Sequence, residues 1–370
     1  MFHEKKKSLI AMSGGVDSSV AAALMLQSGY KCVGVTMKLF DSEDLAAPPS
    51  GCCSLSDVED AKAVAFRLNM PHYVLNFADD FKESVVRNFV ETYERGGTPN
   101  PCIECNRRLK FEKLLQRARR LEFDYIATGH YAQIEPSGGR FILKKAVDAK
   151  KDQSYVLYML TQAQLARTVF PLGSLTKERV RELAAENGFV NAKKGDSQDI
   201  CFAPDRDYAA FIEKWRGEPA PWGDVIDMDG KVVGRHRGLI RYTIGQRRGL
   251  GLASETPIYV TAKSAENNTI TVGRDESLWT RELVAVSINL VVCDRLDKPL
   301  RVTAKTRYLQ QEQPAVAEQT GEDELTVVFD EPQRAIAPGQ AVVLYEGNTV
   351  IGGGTIAGEA CLTTSQRGVV

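Results

Sequence analysis

Seven residues near the N-terminus have the composition of a polyphosphate-binding loop. Residues 13–19 read Ser-Gly-Gly-Val-Asp-Ser-Ser and stand between a short apolar run, residues 7–11, and a helical pattern, residues 16–29. Paired glycines let successive backbone N–H groups point at one anion, while hydroxyls and the helix N-terminus add donors and a favourable dipole. No lysine follows the second glycine, as it does in the loop of kinases and GTPases, so the sequence predicts a polyphosphate site of another kind.

Three cysteines have the spacing or setting of nucleophiles or metal ligands. Residues 97–106 read Gly-Thr-Pro-Asn-Pro-Cys-Ile-Glu-Cys-Asn, which places Cys102 and Cys105 at a proline-restricted turn before a predicted helix. A helix N-terminus favours the thiolate, and cysteines at this spacing also bind zinc or iron–sulfur clusters when others join them. Cys201 is the third candidate, although a buried structural thiol is an equally good interpretation of that residue alone.

The elements that must position these residues alternate between strand and helix over the first 200 residues. The predicted strands are 7–11, 32–37, 72–76 and 125–128, and the predicted helices are 16–29, 56–68, about 79–95 and about 106–121. Ser56 is the expected N-cap of its helix, with Glu59 at the capping-box position. The alternation predicts an α/β domain with a parallel sheet.

Beyond about residue 205, short alternating runs punctuated by Gly, Pro and Thr predict β structure. We therefore predict three domains: residues 1–204 with the loop and the cysteines, and two small β-rich domains at residues 205–280 and 281–370.

Composition indicates a globular protein, since 43% of the 370 residues are hydrophobic and 26% are charged. No apolar segment approaches about 18 residues, so we expect a cytoplasmic protein without a membrane partner, whose cysteines are reduced. The net charge of −1 gives no global argument for nucleic acid. Locally, however, residues 107–120 carry seven Lys or Arg and one acid, and residues 231–248 carry six and none. Such clusters favour a phosphate-rich partner, although a solvated charged helix face is an equal interpretation of the first.

The loop matches the S-G-G-x-D-S-S motif of the PP-loop ATP pyrophosphatases, and the whole chain resembles one subfamily, the tRNA-specific 2-thiouridylases. The matching stretches are residues 12–18, 98–101, 105–106, 110–111, 127–131, 151–155, 196–197, 200–202, 245–247, 249–251 and 306–308. The resemblance implies a PP-loop α/β domain followed by two β-rich domains. It also implies adenylation of a uridine in tRNA and replacement of its C2 oxygen by sulfur, with release of AMP and pyrophosphate.

The resemblance further implies roles for individual residues. Contacts to ATP fall on Ala11, Met12, Ser13, Gly14, Gly15, Val16, Asp17, Ser18, Met37 and Gly129, with Asp17 near Mg²⁺ and pyrophosphate. Contacts to tRNA fall on Thr98, Pro99, Asn100, Lys151, Asp152, Gln153, Arg307 and Tyr308. Cys105 and Cys201 become the catalytic pair: Cys201 carries the sulfur as a persulfide, and Cys105 releases it by forming a disulfide.

The expected substrates are the tRNAs for lysine, glutamate and glutamine, modified at the wobble uridine. The expected sulfur source is a cysteine desulfurase or a sulfur-relay protein.

The chain departs from the family at Cys102, where well-known members carry a catalytic aspartate. A thiol could exchange protons there, or Cys102, Cys105 and Cys201 could together hold a 4Fe–4S cluster with one open iron. Cys52 and Cys53 either relay sulfur or are incidental. The alternatives in function are a 4-thiouridine or 2-thiocytidine enzyme, an ammonia-using amide synthetase, and a metal-binding RNA module with an inactive loop.

Overall fold

The computed structural model describes residues 5–40, 55–195, 200–203 and 207–358. Cys52 and Cys53, like the matching pair at residues 196–197, lie outside the described residues. The chain divides into two compact units, the first made of Met1–Val86, Cys102–Pro204 and Asn348–Val350, and the second of Arg87–Pro101, Asp205–Gly347 and Ile351–Val370. The division into three domains remains a prediction.

The α-helices are α1 Val16–Gln27, α2 Leu55–Arg67, α3 Ala78–Phe81, α4 Arg87–Glu94, α5 Pro101–Glu104, α6 Leu114–Arg120, α7 Gln162–Leu165, α8 Lys177–Glu186 and α9 Tyr208–Arg216. Two π-helical segments, Lys82–Val86 and Cys105–Lys113, lie between α3 and α4 and between α5 and α6. Short 3₁₀ turns cover Ser154–Val156, Leu239–Arg241 and Asp275–Leu278.

The strands of the first half are β1 Lys7–Ala11, β2 Lys31–Lys38, β3 His72–Asn76, β4 Tyr125–Ala127, β5 Gln133–Ser137, β6 Arg140–Lys144 and β7 Thr168–Val169. Those that follow are β8 Gly223–Ile226, β9 Val232–His236, β10 Tyr259–Ser264, β11 Thr269–Gly273, β12 Trp279–Leu290, β13 Leu300–Lys305, β14 Gln313–Gly321, β15 Glu324–Arg334, β16 Ala341–Glu346 and β17 Thr349–Ile356.

A five-stranded parallel sheet of order β3-β2-β1-β4-β7 forms the centre of the first unit, which confirms the predicted α/β class. Ile10 of β1, Val20 of α1 and Ala127 of β4 are fully buried members of its core. The chain leaves β1 toward β2 on one side and reaches β4 on the other. Open α/β sheets bind ligands at the carboxyl ends of the strands where the order reverses in this way. The phosphate loop follows β1 and Gly129 follows β4, so both lie at that edge.

Two predicted helix starts are wrong. Leu55 and Ser56 already belong to α2, so Ser56 is not the N-cap; a capping-box pattern locates a helix start only to within a residue or two. The helix expected from residue 106 begins at Pro101, because the fixed φ of proline suits the first helical position. Cys102 and Cys105 therefore lie within the helical run rather than on a turn before it.

The second unit is rich in β structure, as predicted. Strands β12-β15-β14-β13-β16-β17 form one sheet that closes through an additional pairing of β12 with β17, and Ala304, Ala315, Phe329 and Val342 are buried in its core. A separate sheet of order β10-β11-β8-β9 is built around Val260 and Ile270. In the described part of the chain, no helix is long and apolar enough to cross a membrane.

Candidate active site

The phosphate loop connects β1 to α1 with its backbone donors at the helix start. Gly14 has a φ of +75°, and a Cβ there would lie 2.2 Å from the carbonyl oxygen of Asp57, so only glycine fits. Gly15 caps α1 without a side-chain hydrogen bond. The first-turn N–H groups of a helix have no partner within the helix, so this start can receive an anion.

Hydroxyl groups fix the shape of the loop from inside. Ser13 donates its N–H to Oγ of Ser18 at 3.1 Å, and Ser18 and Ser19 donate their hydroxyls to the carbonyl of Gly15 at 3.1 and 2.9 Å. The two serines therefore have a structural reason to be present, apart from any contact with phosphate.

Residues that come after α8 hold the loop from outside. Asn191 is buried and donates Nδ2 to the carbonyl of Gly14 and to Oγ of Ser19, both at 2.9 Å. Lys194 places its ammonium 2.7 Å from Asp57 and 2.6 Å from Asp60 on α2. Burial acts to lower the pKa of Lys194, but the hydrogen bonds and charges of the two carboxylates outweigh it, so the pKa is raised. The loop is thereby fixed against α2.

Asp17, in the first turn of α1, is contacted by two donors. Nζ of Lys177 lies 2.8 and 2.9 Å from its two carboxylate oxygens, and the hydroxyl of Tyr131 donates to Oδ1 at 2.8 Å. Gly129 is required nearby, because a Cβ would lie 2.7 Å from the nitrogen of Ser18 and 2.8 Å from the carbonyl carbon of Asp17. Gly129 thus lets the end of β4 approach the loop itself, and its assignment to adenosine stays a prediction.

Two other residues at this edge are buried. Met37, assigned to adenosine by the resemblance, is 8% exposed on β2. His130 shares a 2.7 Å hydrogen bond with Thr128 and packs against Phe111 and Phe170, each 5.8 Å away between ring centroids. Burial, helped by the charge of Lys110, lowers the pKa of His130 well below its usual range. A neutral, enclosed imidazole of this kind is a packing residue rather than a general base.

The candidate cysteines all lie in the first unit. Cys102 is exposed in the first turn of the helical run, whereas Cys105, where the π-helical segment begins, and Cys201 are half-buried. Phe202, next to Cys201, packs edge-on against Phe81 at 5.6 Å. π-Helical segments are rare and occur frequently at functional sites, so the segment that starts at Cys105 is a notable place for a nucleophile.

The described residues do not present a ready-made metal centre. Within the ranges that the structure covers, no three His, Cys, Asp or Glu side chains are grouped so as to hold a metal ion. Cys102, Cys105 and Cys201 are all among those residues, and a cluster held by these three cysteines stays a prediction.

The stretch assigned to tRNA at residues 151–153 is tied into the first unit by its polar side chains. Asp152 accepts hydrogen bonds from the N–H groups of Ala146 and Ser154 at 3.0 and 3.2 Å. Gln153 accepts from the N–H of Tyr131 at 3.0 Å and donates its own N–H to the carbonyl of Tyr131 at 2.8 Å. Gln153 therefore holds in place the tyrosine that contacts Asp17.

The other residues assigned to tRNA lie in the second unit. Gln340 donates to the carbonyls of Thr98 and Pro99 at 2.9 and 3.2 Å, and the N–H of Thr98 donates to Pro338 at 2.7 Å. Arg307 donates to the carbonyls of Arg334 and Ala335, which restrains its guanidinium beside the partly exposed Tyr308. The contacts of these residues with tRNA stay predictions.

Several cations of the two basic clusters, residues 107–120 and 231–248, pair with carboxylates from other parts of the chain. Arg241 makes two hydrogen bonds of 2.7 Å with Glu213 of α9, and Lys113 pairs with Asp80 at 2.8 Å. The guanidiniums of Arg235 and Arg237 lie 5.9 and 5.7 Å from the ring centroid of Trp222, which is 56% exposed, and Arg235 is also 3.8 Å from the carboxylate of Asp224. Arginines held over an exposed aromatic ring are well placed to meet phosphates.

Four residues that contact the loop, its aspartate or the neighbouring helix α2 received no role from sequence motifs alone: Tyr131, Lys177, Asn191 and Lys194. One signal was present at Lys177, a cation in the first turn of a helix, where the dipole disfavours positive charge. The other contacts join residues more than 100 positions apart, which no local pattern reveals.

Comparison with known families covers nearly the whole chain. Residues 6–205 match the family model described as "tRNA methyl transferase HUP domain", residues 209–274 the "tRNA methyl transferase PRC-barrel domain", and residues 280–356 the "Aminomethyltransferase beta-barrel domain". A solved structure, a 4-thiouridine synthetase–RNA complex with bound ATP, is distantly similar, with 20% identity and a TM-score of 0.35 over 57% of this chain and 50% of that one.

Individual relatives identify the family. The tRNA-specific 2-thiouridylase MnmA of Clostridioides difficile strain 630 is 50% identical over 353 residues, which cover 95% of this chain and 98% of the relative. The MnmA of Acetivibrio thermocellus is 48% identical over 356 residues, which cover 95% and 99%. Although the family models mention methyl transfer, the relatives that match along the chain are named for thiolation. The chain therefore belongs to the tRNA-specific 2-thiouridylase family.

Proposed function

We propose that this chain makes 2-thiouridine in tRNA, at the wobble uridine of the lysine, glutamate and glutamine isoacceptors. ATP adenylates the C2 oxygen of the uridine, and sulfur carried on a cysteine then displaces AMP. The observation that carries the proposal is the placement in one unit of a lysine-free phosphate loop and three cysteines, in a chain about half identical to named thiouridylases.

The phosphate loop supports the first step. The C2 oxygen attacks the α phosphorus, the bond to the bridging oxygen breaks, and pyrophosphate leaves. The start of α1, which has no side-chain cap, and the loop N–H groups would bind the phosphates. The carboxylate of Asp17 has the oxygen chemistry that Mg²⁺ prefers and would hold the ion together with the phosphates. When bound, Mg²⁺ supplies charge neutralisation at the leaving group.

The cysteines support the second step. The terminal sulfur of a Cys201 persulfide attacks C2, the C2–O bond breaks, and AMP departs. The thiolate of Cys105 then attacks Sγ of Cys201, which forms a disulfide and leaves the second sulfur on the uridine as the thiocarbonyl. A reductant of the thiol class must return both cysteines to thiols before the next turnover. Cys102, exposed beside Cys105, would exchange the proton that an aspartate handles in other members.

The sulfur would come from a cysteine desulfurase or a sulfur-relay protein, and reduced thiols agree with a cytoplasmic enzyme. The steps above use persulfide and disulfide chemistry and no iron–sulfur cluster; among the residues that the structure describes, no three metal-ligating side chains are grouped.

The experiment is incubation of the pure protein with unmodified tRNA, Mg-ATP and a persulfide donor, followed by mass spectrometry of the digested nucleosides. We expect 2-thiouridine, lost in Cys201→Ser and retained in Cys293→Ser, a matched half-buried cysteine of the second unit. A 4-thiouridine or 2-thiocytidine product would show that sulfur enters at another position or another base, and would overturn the proposed substrate. Thiolation that survives Cys201→Ser would overturn the persulfide assignment. Thiolation that requires bound iron and fails in iron-free protein would favour the cluster route.

A further inference from the structure

A buried lysine contacts both oxygens of the phosphate-loop aspartate. The side chain of Lys177 is 7% exposed and that of Asp17 is 32% exposed, and the ion pair joins them at 2.8 Å. Tyr131 donates to the same carboxylate at 2.8 Å. The carboxylate expected beside the leaving pyrophosphate thus already neutralises a cation supplied by the protein.

The position of Lys177 runs against local preference. It is the first residue of α8, where the helix dipole disfavours positive charge. The helix start is otherwise well satisfied: Thr176 caps it by accepting from the N–H of Arg179, and the N–H of Lys177 donates to Asp148 at 3.0 Å. A buried ion pair is often no more stabilising than apolar residues of similar volume. Such departures from local rules are expected at functional sites.

The phosphate loop has no cation of its own. Residues 11–19 contain no lysine or arginine. A polyphosphate brought to the loop would meet backbone N–H groups and hydroxyls, but also the negative charge of Asp17. The nearby ammonium removes that repulsion and can itself bind phosphate oxygens with charge-assisted hydrogen bonds.

We propose that Lys177 is the fixed cation of the polyphosphate site: Asp17 stores its ammonium beside the loop, and the ammonium turns to the β and γ phosphates when ATP binds. The carboxylate of Asp17 would then be available to hold a magnesium ion. Lys177 acts by charge alone. The inference rests on the proposed use of ATP.

The test is calorimetric titration of the full chain, without tRNA, with inorganic pyrophosphate, ATP and AMP. Lys177→Gln keeps a hydrogen-bond donor for Asp17 but removes the charge. We expect it to weaken pyrophosphate and ATP at least about tenfold, since hydrogen bonds to charged groups carry that much affinity, and to change AMP binding less than about threefold. Lys177→Arg keeps the positive charge and should stay within about threefold of wild type for all three ligands. Arg179→Gln, an exposed cation in the same helical turn, is the matched control and should change none.

Equal weakening of AMP, ATP and pyrophosphate in Lys177→Gln would show that Lys177 only shapes the loop, and unchanged pyrophosphate affinity would show that its charge is not used; either result overturns the inference alone. Failure of the wild-type chain to bind ATP or AMP would overturn the proposed ATP-dependent function and the inference with it. Melting temperatures of the variants identify any loss of folding. If Lys177→Gln does not fold, Lys177→Arg decides the question: affinities within about threefold of wild type support the fixed cation, and a larger loss of pyrophosphate and ATP binding overturns it.

Discussion

Lys263 is a lysine whose charge opposes folding, and its replacement should change how stability depends on pH. It lies half-buried on β10, donates Nζ to the carbonyl of Tyr242 at 2.7 Å, and lies 6.0 Å from the ring centroid of Tyr93. Burial lowers the pKa of Lys263 to about 8. In the unfolded chain the pKa returns to about 10.4, so between these values the unfolded state binds the additional proton. Stability must therefore rise with pH across this window.

The magnitude follows from linkage. Between pH 8 and 9.5 the shift contributes up to about 1.5 kcal/mol to the free energy of unfolding, and Lys263→Met removes this contribution. The upper end of this pH range lies below the ordinary pKa of tyrosine. Burial raises the pKa of Tyr93 further, so its hydroxyl keeps its proton across the range.

The assay is urea unfolding followed by intrinsic fluorescence, because all three tryptophans, Trp215, Trp222 and Trp279, belong to the unit that contains Lys263. We expect the wild type to gain stability relative to Lys263→Met as the pH rises from 8 to 9.5. Parallel pH profiles of the two proteins would refute the reasoning, whatever their absolute stabilities.

Four further predictions concern the site and the arginines near Trp222. Gly129→Ala should weaken ATP binding at least about tenfold in calorimetry, because its Cβ would lie 2.7 Å from a loop nitrogen; unchanged affinity would contradict that packing. Asn191→Ala should lower the free energy of unfolding by about 2 kcal/mol, since it removes the donor to two acceptors of the loop. An unchanged urea midpoint would show that these two hydrogen bonds do not stabilise the fold. Arg237→Gln should lower the slope of the logarithm of tRNA affinity against the logarithm of salt concentration by about 1, because Arg237 lies over Trp222 and pairs with no carboxylate in the described part of the chain. Arg241→Gln, whose guanidinium is already paired with Glu213, should leave the slope unchanged. Equal slopes in the two variants would show that Arg237 does not meet tRNA phosphates. Cys102→Asp should retain thiolation better than Cys102→Ala in the nucleoside assay, and equal loss in both would favour a ligand role for the thiol.

Much of the first unit could be predicted because its signals are local. β1 and β3 have the bounds predicted from their apolar runs, and the strand–helix alternation specified the parallel sheet. The loop could be placed because glycine and serine are needed where a strand turns into a helix that receives an anion. The helix around Cys105 was harder, because a π-helical segment has no sequence period of its own that separates it from an α-helix.

Charge partners could not be predicted, because a sequence cluster does not show which carboxylates reach it in the fold. Arg241 belongs to a run without acids, yet Glu213 of α9 satisfies it with two hydrogen bonds. Asp17 and Lys177 are 160 positions apart, so the lysine absent from the loop motif is supplied by another helix. A motif identifies the backbone that cradles the phosphates, whereas the balance of charge around them is a property of the tertiary structure. For this reason a lysine-free loop does not imply a lysine-free site.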